Sequence, residues 1–151
     1  MNVIEFKPTA DQLNYTFGGA GPVMKIKPGT ALKLWTEDAF NNTINKVTDL
    51  SSEKVDLRYV NPQTGPFYVE GAEPGDALAI HVVDMKTARG HGASSTIPFF
   101  GGLTSTDRTA MLQDALPDTT WIYEVNTKNN TVGFQSRFGK FNVELPIECM
   151  F

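Results

Sequence analysis

The sequence predicts an all-β fold, mainly antiparallel and of the β-sandwich or jelly-roll kind, with one or two short helices and a long glycine-rich loop. Three observations favour this class. Ten Phe, four Tyr and two Trp suit a pleated surface. Thirteen Gly and nine Pro divide the chain into short segments. At 151 residues the chain has the size of one ordinary domain, so residues 1–151 are expected to form a single β-rich domain.

Short apolar or alternating runs separated by turn residues define the expected strands. They cover residues 3–6, 23–26, 31–36, 67–70, 77–84, 120–126, 131–134 and 141–145. The last three predict a meander, because Asn129-Asn130 and Gly139-Lys140 are typical of tight reversals.

Three segments are not read as strands. Residues 38–54 are polar with apolar residues at helical spacing, which leaves a short helix and an excursion loop as alternatives. Residues 85–105 contain four glycines and a run of small polar residues, and we expect a long loop of the kind that is often functional. Residues 106–116 are expected to supply a short helix.

A sequence echo relates two turns that precede strands. KIKPGTALKLWTEDAF, from Lys25, resembles GAEPGDALAIHVVDMK, from Gly71, and each has Pro-Gly before an alternating run. Duplication and the frequency of such turns before strands explain the echo about equally well. Alternation places an apolar row on one face of each strand, and the rows end in Asp38 and Asp84. Each Asp is therefore expected at the rim of a core.

Charge and composition exclude several classes of protein. Thirteen Lys and Arg against 17 Asp and Glu give a net charge of -4, and the basic residues are scattered, which argues against nucleic-acid binding. No apolar run approaches the roughly 20 residues that cross a bilayer, so no membrane association is expected. The single Cys149 cannot form an internal disulfide and no leader pattern is present, so a cytoplasmic location is expected.

Carboxylates and two histidines are the candidates for chemistry, since phosphate loops, nucleophile elbows and Cys-x-x-Cys pairs are missing from the sequence. The candidates are Glu37, Asp38, Glu70, Glu73, Asp76, His81, Asp84 and His91. Glu73 and Asp76 flank a Pro-Gly turn and are interpreted as turn residues. His81 fits a packed or surface histidine as well as a ligand, and His91 fits an exposed loop residue as well as a substrate contact.

Several motifs together resemble the acetamidase/formamidase family. They are Gly65-Pro66, VEGAEPGDALAIHVVDM at residues 69–85, the earlier LWTEDAF, and the closing LPIECMF. The resemblance covers essentially the whole chain, and its most specific part is EGAEPGD. Members of the family are about twice as long as this chain, so the resemblance implies the amino-terminal half of such a protein.

The resemblance also implies a function and a site. Members of the family hydrolyse short amides such as formamide and acetamide to the carboxylic acid and ammonia, on a β-rich sandwich fold. Asp38, Glu70 and His81 lie within the matching motifs and are the expected catalytic residues. Asp38 or Glu70 would act as general base, Asp38 and His81 would ligate a divalent metal ion such as zinc or calcium, and His91 would bind substrate. The expected partners are a small amide and either further copies in a homo-oligomer or a complementary carboxy-terminal chain.

Two other functions remain open. The first is a non-catalytic β-sandwich that serves as an interaction or assembly module, which the apolar end Cys149-Met150-Phe151 favours. The second is carbohydrate binding through Trp35, Trp121 and Phe99-Phe100, although core packing explains these aromatic residues better.

Overall fold

The computed structural model describes residues 3–101, 114–136 and 142–147. The chain divides into two compact units, of which the first comprises Met1–Asn42 and Asp56–His81. The second comprises Thr43–Val55 and Val82–Phe151. The single domain expected from chain length stays a prediction.

Short strands make up most of the regular secondary structure in the described residues. In chain order they are β1 (Val3–Phe6), β2 (Met24–Ile26), β3 (Ala31–Leu34), β4 (Phe67–Val69), β5 (His91–Thr96), β6 (Thr119–Asn126), β7 (Thr131–Gln135) and β8 (Asn142–Pro146). One short helix, α1, spans Ser51–Lys54, and 3₁₀ helices span Ala10–Gln12 and Leu57–Tyr59. The mostly β class is confirmed, whereas the sandwich or jelly-roll arrangement stays a prediction.

The first unit contains two parallel strand pairs. β1 pairs with β3 from Val3 opposite Ala31, and β2 pairs with β4 from Met24 opposite Phe67. The rings of Phe6 and Phe67 meet edge to face with centroids 5.6 Å apart, an arrangement that stabilises aromatic pairs. The parallel direction of these two pairs differs from the mainly antiparallel pairing that the sequence predicts. Alternation indicates which face of a sheet a side chain occupies, but it gives no information about the direction of the neighbouring strand.

Gly65 is buried and lies two residues before β4. Gly65 has φ of 125°, and its carbonyl oxygen accepts a hydrogen bond of 2.6 Å from Asn14 Nδ2. The neighbouring Thr64 Oγ1 donates to the carbonyl oxygen of Trp35 at 2.7 Å. A Cβ atom at Gly65 would lie 3.3 Å from the ring of Phe67, tighter than ordinary contact. Glycine therefore suits this position on both conformational and steric grounds.

The second unit contains a four-stranded antiparallel sheet in the order β5-β6-β7-β8. The strands expected near residues 120–126, 131–134 and 141–145 are β6, β7 and β8, so the meander is confirmed. Asn130 has φ of 56°, the left-handed conformation expected at the first reversal. Gly139-Lys140 and Phe141 lie outside the described residues.

The long loop expected over residues 85–105 is wrong in part, because its middle forms β5. Small residues let β5 lie against the bulky side chains of β6: Gly92 is opposite Tyr123 and Ser94 is opposite Trp121. Ser94 Oγ and the Tyr123 hydroxyl are 2.7 Å apart, a hydrogen bond in which either could donate. Pairing with a neighbouring strand here outweighs the weak β propensity of Gly, Ala and Ser.

The strand expected over residues 77–84 is also wrong. These residues have no strand assignment and are exposed throughout, so the apolar row that should end at Asp84 does not face a core. Alternation shows that a segment suits a sheet, but a strand forms only where a neighbour supplies the hydrogen bonds. Within the described residues no strand pairs with this segment.

The remaining expectations concern helices. In residues 38–54 only Ser51–Lys54 is α-helical, and the preceding residues form turns at 39–42 and 47–48 separated by irregular backbone. Of the helix expected at 106–116, residues 106–113 lie outside the described part and 114–116 are irregular. Cys149 and the apolar end also lie outside it. The helices in the described part of the chain are too short and polar to cross a bilayer.

Candidate active site

Asp38 lies in a tight turn that follows β3. Its Oδ1 accepts a hydrogen bond of 2.9 Å from the backbone N–H of Phe40, and its carbonyl oxygen accepts one of 2.9 Å from the N–H of Asn41. Glu37 Oε1 in turn accepts from the N–H of Asp38 at 3.0 Å. Asn41 has a positive φ of 54°, which Asn tolerates well. The turn fixes the backbone of Asp38, and the residue is exposed rather than at the rim of a core.

Glu70 follows β4 directly. Its backbone N–H donates to the carbonyl oxygen of Ile26 at 2.8 Å and so extends the pairing of β2 with β4 by one bond. Gly71 then reverses the chain with φ of 82°. The sheet therefore fixes the position of Glu70, while the residue as a whole is exposed.

The two histidines lie in different units. His81 is exposed, has no strand assignment, and is the last residue of the first unit. His91 begins β5 in the second unit, is half-buried, and is opposite Glu124 of β6. His91 is thus fixed by strand pairing and does not lie on a loop.

The acids of the EPGD turn behave as turn residues. The N–H of Asp76 donates to the carbonyl oxygen of Glu73 at 3.0 Å, and Asp76 Oδ2 accepts from the N–H of Glu73 at 2.9 Å. Gly75 has φ of 102°. These bonds confirm the interpretation of Glu73 and Asp76 as turn residues.

The two expected metal ligands, Asp38 and His81, are fewer than a metal ion requires. A catalytic zinc ion takes about three protein ligands and an open position. Within residues 3–101, 114–136 and 142–147, no group of three or more His, Cys, Asp or Glu residues could hold a metal ion. Asp38 and His81 therefore do not make a sufficient ligand set within the described residues.

The most deeply buried polar cluster of the described residues is one that the sequence analysis does not predict. Asp49, whose side chain is 5% exposed, accepts hydrogen bonds of 3.0 Å from the N–H groups of Asn45 and Lys46. Lys54 Nζ donates to its second oxygen and forms an ion pair with it. The hydrogen bond from Lys54 and those from the backbone lower the pKa of Asp49 to about 2. The Asp49 carboxylate is therefore held in its charged form.

Two further contacts connect this cluster to the sheet. Thr120 of β6, fully buried, donates from Oγ1 to the carbonyl oxygen of Asp49 at 2.5 Å. Asp118 accepts from the N–H groups of Ser51 and Ser52 at the start of α1, at 3.4 and 2.7 Å. The cluster ties residues 45–54 to the sheet of the second unit and has a structural role. The N-cap of α1 is Leu50 and has no side-chain cap, so the helix-start pattern of the sequence does not point to this cluster.

Comparison with known proteins gives the family. The model of the Acetamidase/Formamidase family matches residues 11–141, most of the chain. The chain belongs to the acetamidase/formamidase family. The resemblance of EGAEPGD and its flanking motifs is thereby confirmed.

Three relatives show how far the similarity extends. The structure of an acetamidase from Yersinia enterocolitica superposes with a TM-score of 0.80 at 33% identity, over 96% of this chain and 43% of that chain. A formamidase from Methylophilus methylotrophus is 35% identical over 71 residues, which is 43% of this chain and 16% of the relative. An acetamidase from Mycolicibacterium smegmatis is 36% identical over 66 residues, 40% of this chain and 15% of the relative. The chain thus spans well under half the length of these family members and corresponds to their amino-terminal portion.

Proposed function

We propose that this chain forms the amino-terminal part of a hydrolase that cleaves the carbon-nitrogen bond of short linear amides such as formamide and acetamide. The observation that supports this most directly is the family match over residues 11–141. The similarity to an acetamidase at 33% identity, over nearly all of this chain, supports the same reaction class.

The proposed reaction is the addition of water to the amide carbonyl carbon, followed by loss of ammonia. A general base takes a proton from the attacking water, the carbon-nitrogen bond of the tetrahedral intermediate breaks, and the nitrogen receives a proton as it leaves. We assign the base to Asp38 or Glu70, because a charged carboxylate accepts a proton. We assign proton transfer to His81, whose imidazole both accepts and donates, and substrate binding to His91.

Because the proposed catalytic groups are exposed to water, catalysis is expected to need the remainder of the family fold to cover them. Asp38, Glu70 and His81 are all exposed to water. Stabilisation of the charge that develops on the carbonyl oxygen is strong only where water is excluded and donors are fixed in advance. The remainder of the family fold would supply that cover, and any further ligands for a zinc or calcium ion. We therefore expect the chain alone to be inactive.

Ammonia release tests the proposal. Formamide and acetamide are supplied to the chain alone and to the chain coexpressed with the part of the Yersinia enterocolitica acetamidase that it does not match. Each preparation is assayed with added Zn²⁺, with Ca²⁺ and with chelator. Release is expected from the combined preparation only. If no preparation releases ammonia from either amide, the hydrolase proposal is wrong.

A matched pair of variants tests Asp38. Asp38→Asn keeps an oxygen that accepts from the N–H of Phe40 and removes the charge, so the turn should persist while turnover falls about 100-fold or more. Asp76→Asn is the control, because Asp76 also accepts a backbone N–H within a turn. Its activity should stay within about twofold of the parent. Equal activities of the two variants would remove Asp38 from the site.

The second candidate is a non-catalytic interaction or assembly module. Residues 77–83 favour it, because they are exposed and no strand among the described residues pairs with them, so they are suited to pairing with another chain. Stable association of the two parts without ammonia release, under every metal condition, would support this function over hydrolysis.

A further inference from the structure

Two turns with the same hydrogen bond and the same glycine conformation precede segments that differ in strand pairing. In residues 27–30 the N–H of Thr30 donates to the carbonyl oxygen of Lys27 at 3.1 Å, and in residues 73–76 the corresponding bond measures 3.0 Å. The glycine of each turn has positive φ, 79° at Gly29 and 102° at Gly75. The sequence echo therefore corresponds to a shared local structure.

The residues that follow the two turns differ in what pairs with them. Ala31–Leu34, with the sequence ALKL, forms β3 and pairs in parallel with β1. The equivalent ALAI begins the segment 77–83, which no hydrogen bond joins to another described residue. We call residues 77–83 the unpaired segment. It has the sequence features of β3, but none of the described strands lies beside it.

The unpaired segment presents apolar side chains to solvent. Leu78 is 62% exposed, Ile80 is 80% exposed and Val83 is 83% exposed. Among the apolar side chains of the described residues, only Ile44 and Pro62 are buried. The segment lacks proline and contains Leu, Ile and two Val, so every backbone N–H is available and the side chains suit a pleated surface. Backbone groups and apolar side chains in this state both gain from a pairing strand.

The length of the relatives indicates which part of the family fold supplies a pairing strand for residues 77–83. This chain covers 43% of the Yersinia enterocolitica acetamidase, so more than half of that chain lies outside the match. The unpaired segment falls inside the region that matches the family. We propose that residues 77–83 are a docking strand for the part of the family fold that this chain does not span, and that the incoming strand pairs with it as β1 pairs with β3. This inference rests on family membership and not on the proposed hydrolysis.

Hydrogen exchange tests the docking strand directly. The amides of residues 78–83 are measured by mass spectrometry in the chain alone and in the chain coexpressed with the unmatched part of the Yersinia enterocolitica acetamidase. In the chain alone they should exchange at nearly unprotected rates. In the combined preparation the alternate amides that face the incoming strand should exchange about 100-fold more slowly. Protection is independent of ammonia release, so a failure of the hydrolase proposal leaves this result readable. Absence of a complex, or a complex in which 78–83 stay unprotected, overturns the inference.

A variant with a matched control distinguishes specific association through residues 77–83 from non-specific hydrophobic association. Ile80→Lys places a charge in the proposed interface and should weaken association at least about tenfold. Phe17, 98% exposed in the same unit, gives the control Phe17→Lys, which should change association less than about twofold. Circular dichroism of each variant alone should match the parent, since both side chains are exposed. Equal effects of the two substitutions contradict the proposal.

Light scattering identifies the competing occupant. If the chain alone forms a dimer that protects residues 78–83 from exchange, a second copy of this chain is the partner and the proposal is wrong. A chain that remains monomeric alone and associates only with the unmatched part of the family fold supports it.

Discussion

Removal of the Thr120 hydroxyl should destabilise the second unit more than its size suggests. Thr120→Val replaces the hydroxyl by a methyl group of similar volume, so no cavity forms. It removes the donor to the carbonyl oxygen of Asp49 inside a buried cluster. A buried carbonyl left without its donor costs about 1–3 kcal/mol. With a urea dependence of about 1–3 kcal/mol per molar, the unfolding midpoint should fall by about 1 M.

The assay uses the fluorescence of Trp121, which neighbours Thr120 on β6. The chain has two Trp residues, so a Trp35→Phe background leaves Trp121 as the single reporter. Thr119→Val is the matched control, because the Thr119 hydroxyl donates to the carbonyl of Pro117 near the surface. It should cost less than about 0.5 kcal/mol. If the two variants unfold at the same urea concentration, the bond to Asp49 does not contribute as argued.

Other positions give predictions of the same kind. Asp49→Asn should destabilise most above pH 4, because a carboxylate with pKa near 2 when folded stabilises above its unfolded value of 3.8 and loses this effect as pH falls toward 2; urea unfolding at pH 7, 4 and 2.5 measures it. Gly65→Ala should cost about 1–3 kcal/mol through its positive φ and its contact with Phe67, and a thermal midpoint unchanged from the parent would contradict this. Asn14→Ala should cost about 1 kcal/mol by removing the donor to Gly65, whereas Asn14→Gln should recover part of it in thermal unfolding.

Local patterns predicted the strands well where pairing agreed with them. β1 at Val3–Phe6 and the β6-β7-β8 meander follow from short alternating runs bounded by turn residues. Local sequence patterns did not predict β5, because Gly92 and Ser94 have weak β propensity. They adopt strand conformation because they pair with Tyr123 and Trp121 of β6. The unpaired segment is the converse case, since alternation there indicates a strand whose partner the sequence does not identify.

The candidate site was predictable only as far as family motifs reach. The motifs select Asp38, Glu70 and His81, and the structure fixes the backbones of the first two through a turn and a sheet extension. The buried Asp49 cluster escaped prediction because Thr120 is distant in sequence from its acceptor. Single-sequence patterns report neighbours along the chain and not pairs that folding brings together.

The connection of the strands has a consequence for the order in which they form. β6 and β7 adjoin through the short turn between Asn126 and Thr131, whereas Val3 must find Ala31 and Met24 must find Phe67 across long intervening stretches. Loop-closure entropy makes the distant parallel pairs slower to form. During refolding, the amide of Gly133, which faces β6, should therefore become protected from pulsed deuterium labelling before that of Lys33, which faces β1. The half of the chain that is synthesised first would then be the last to acquire its strand pairs.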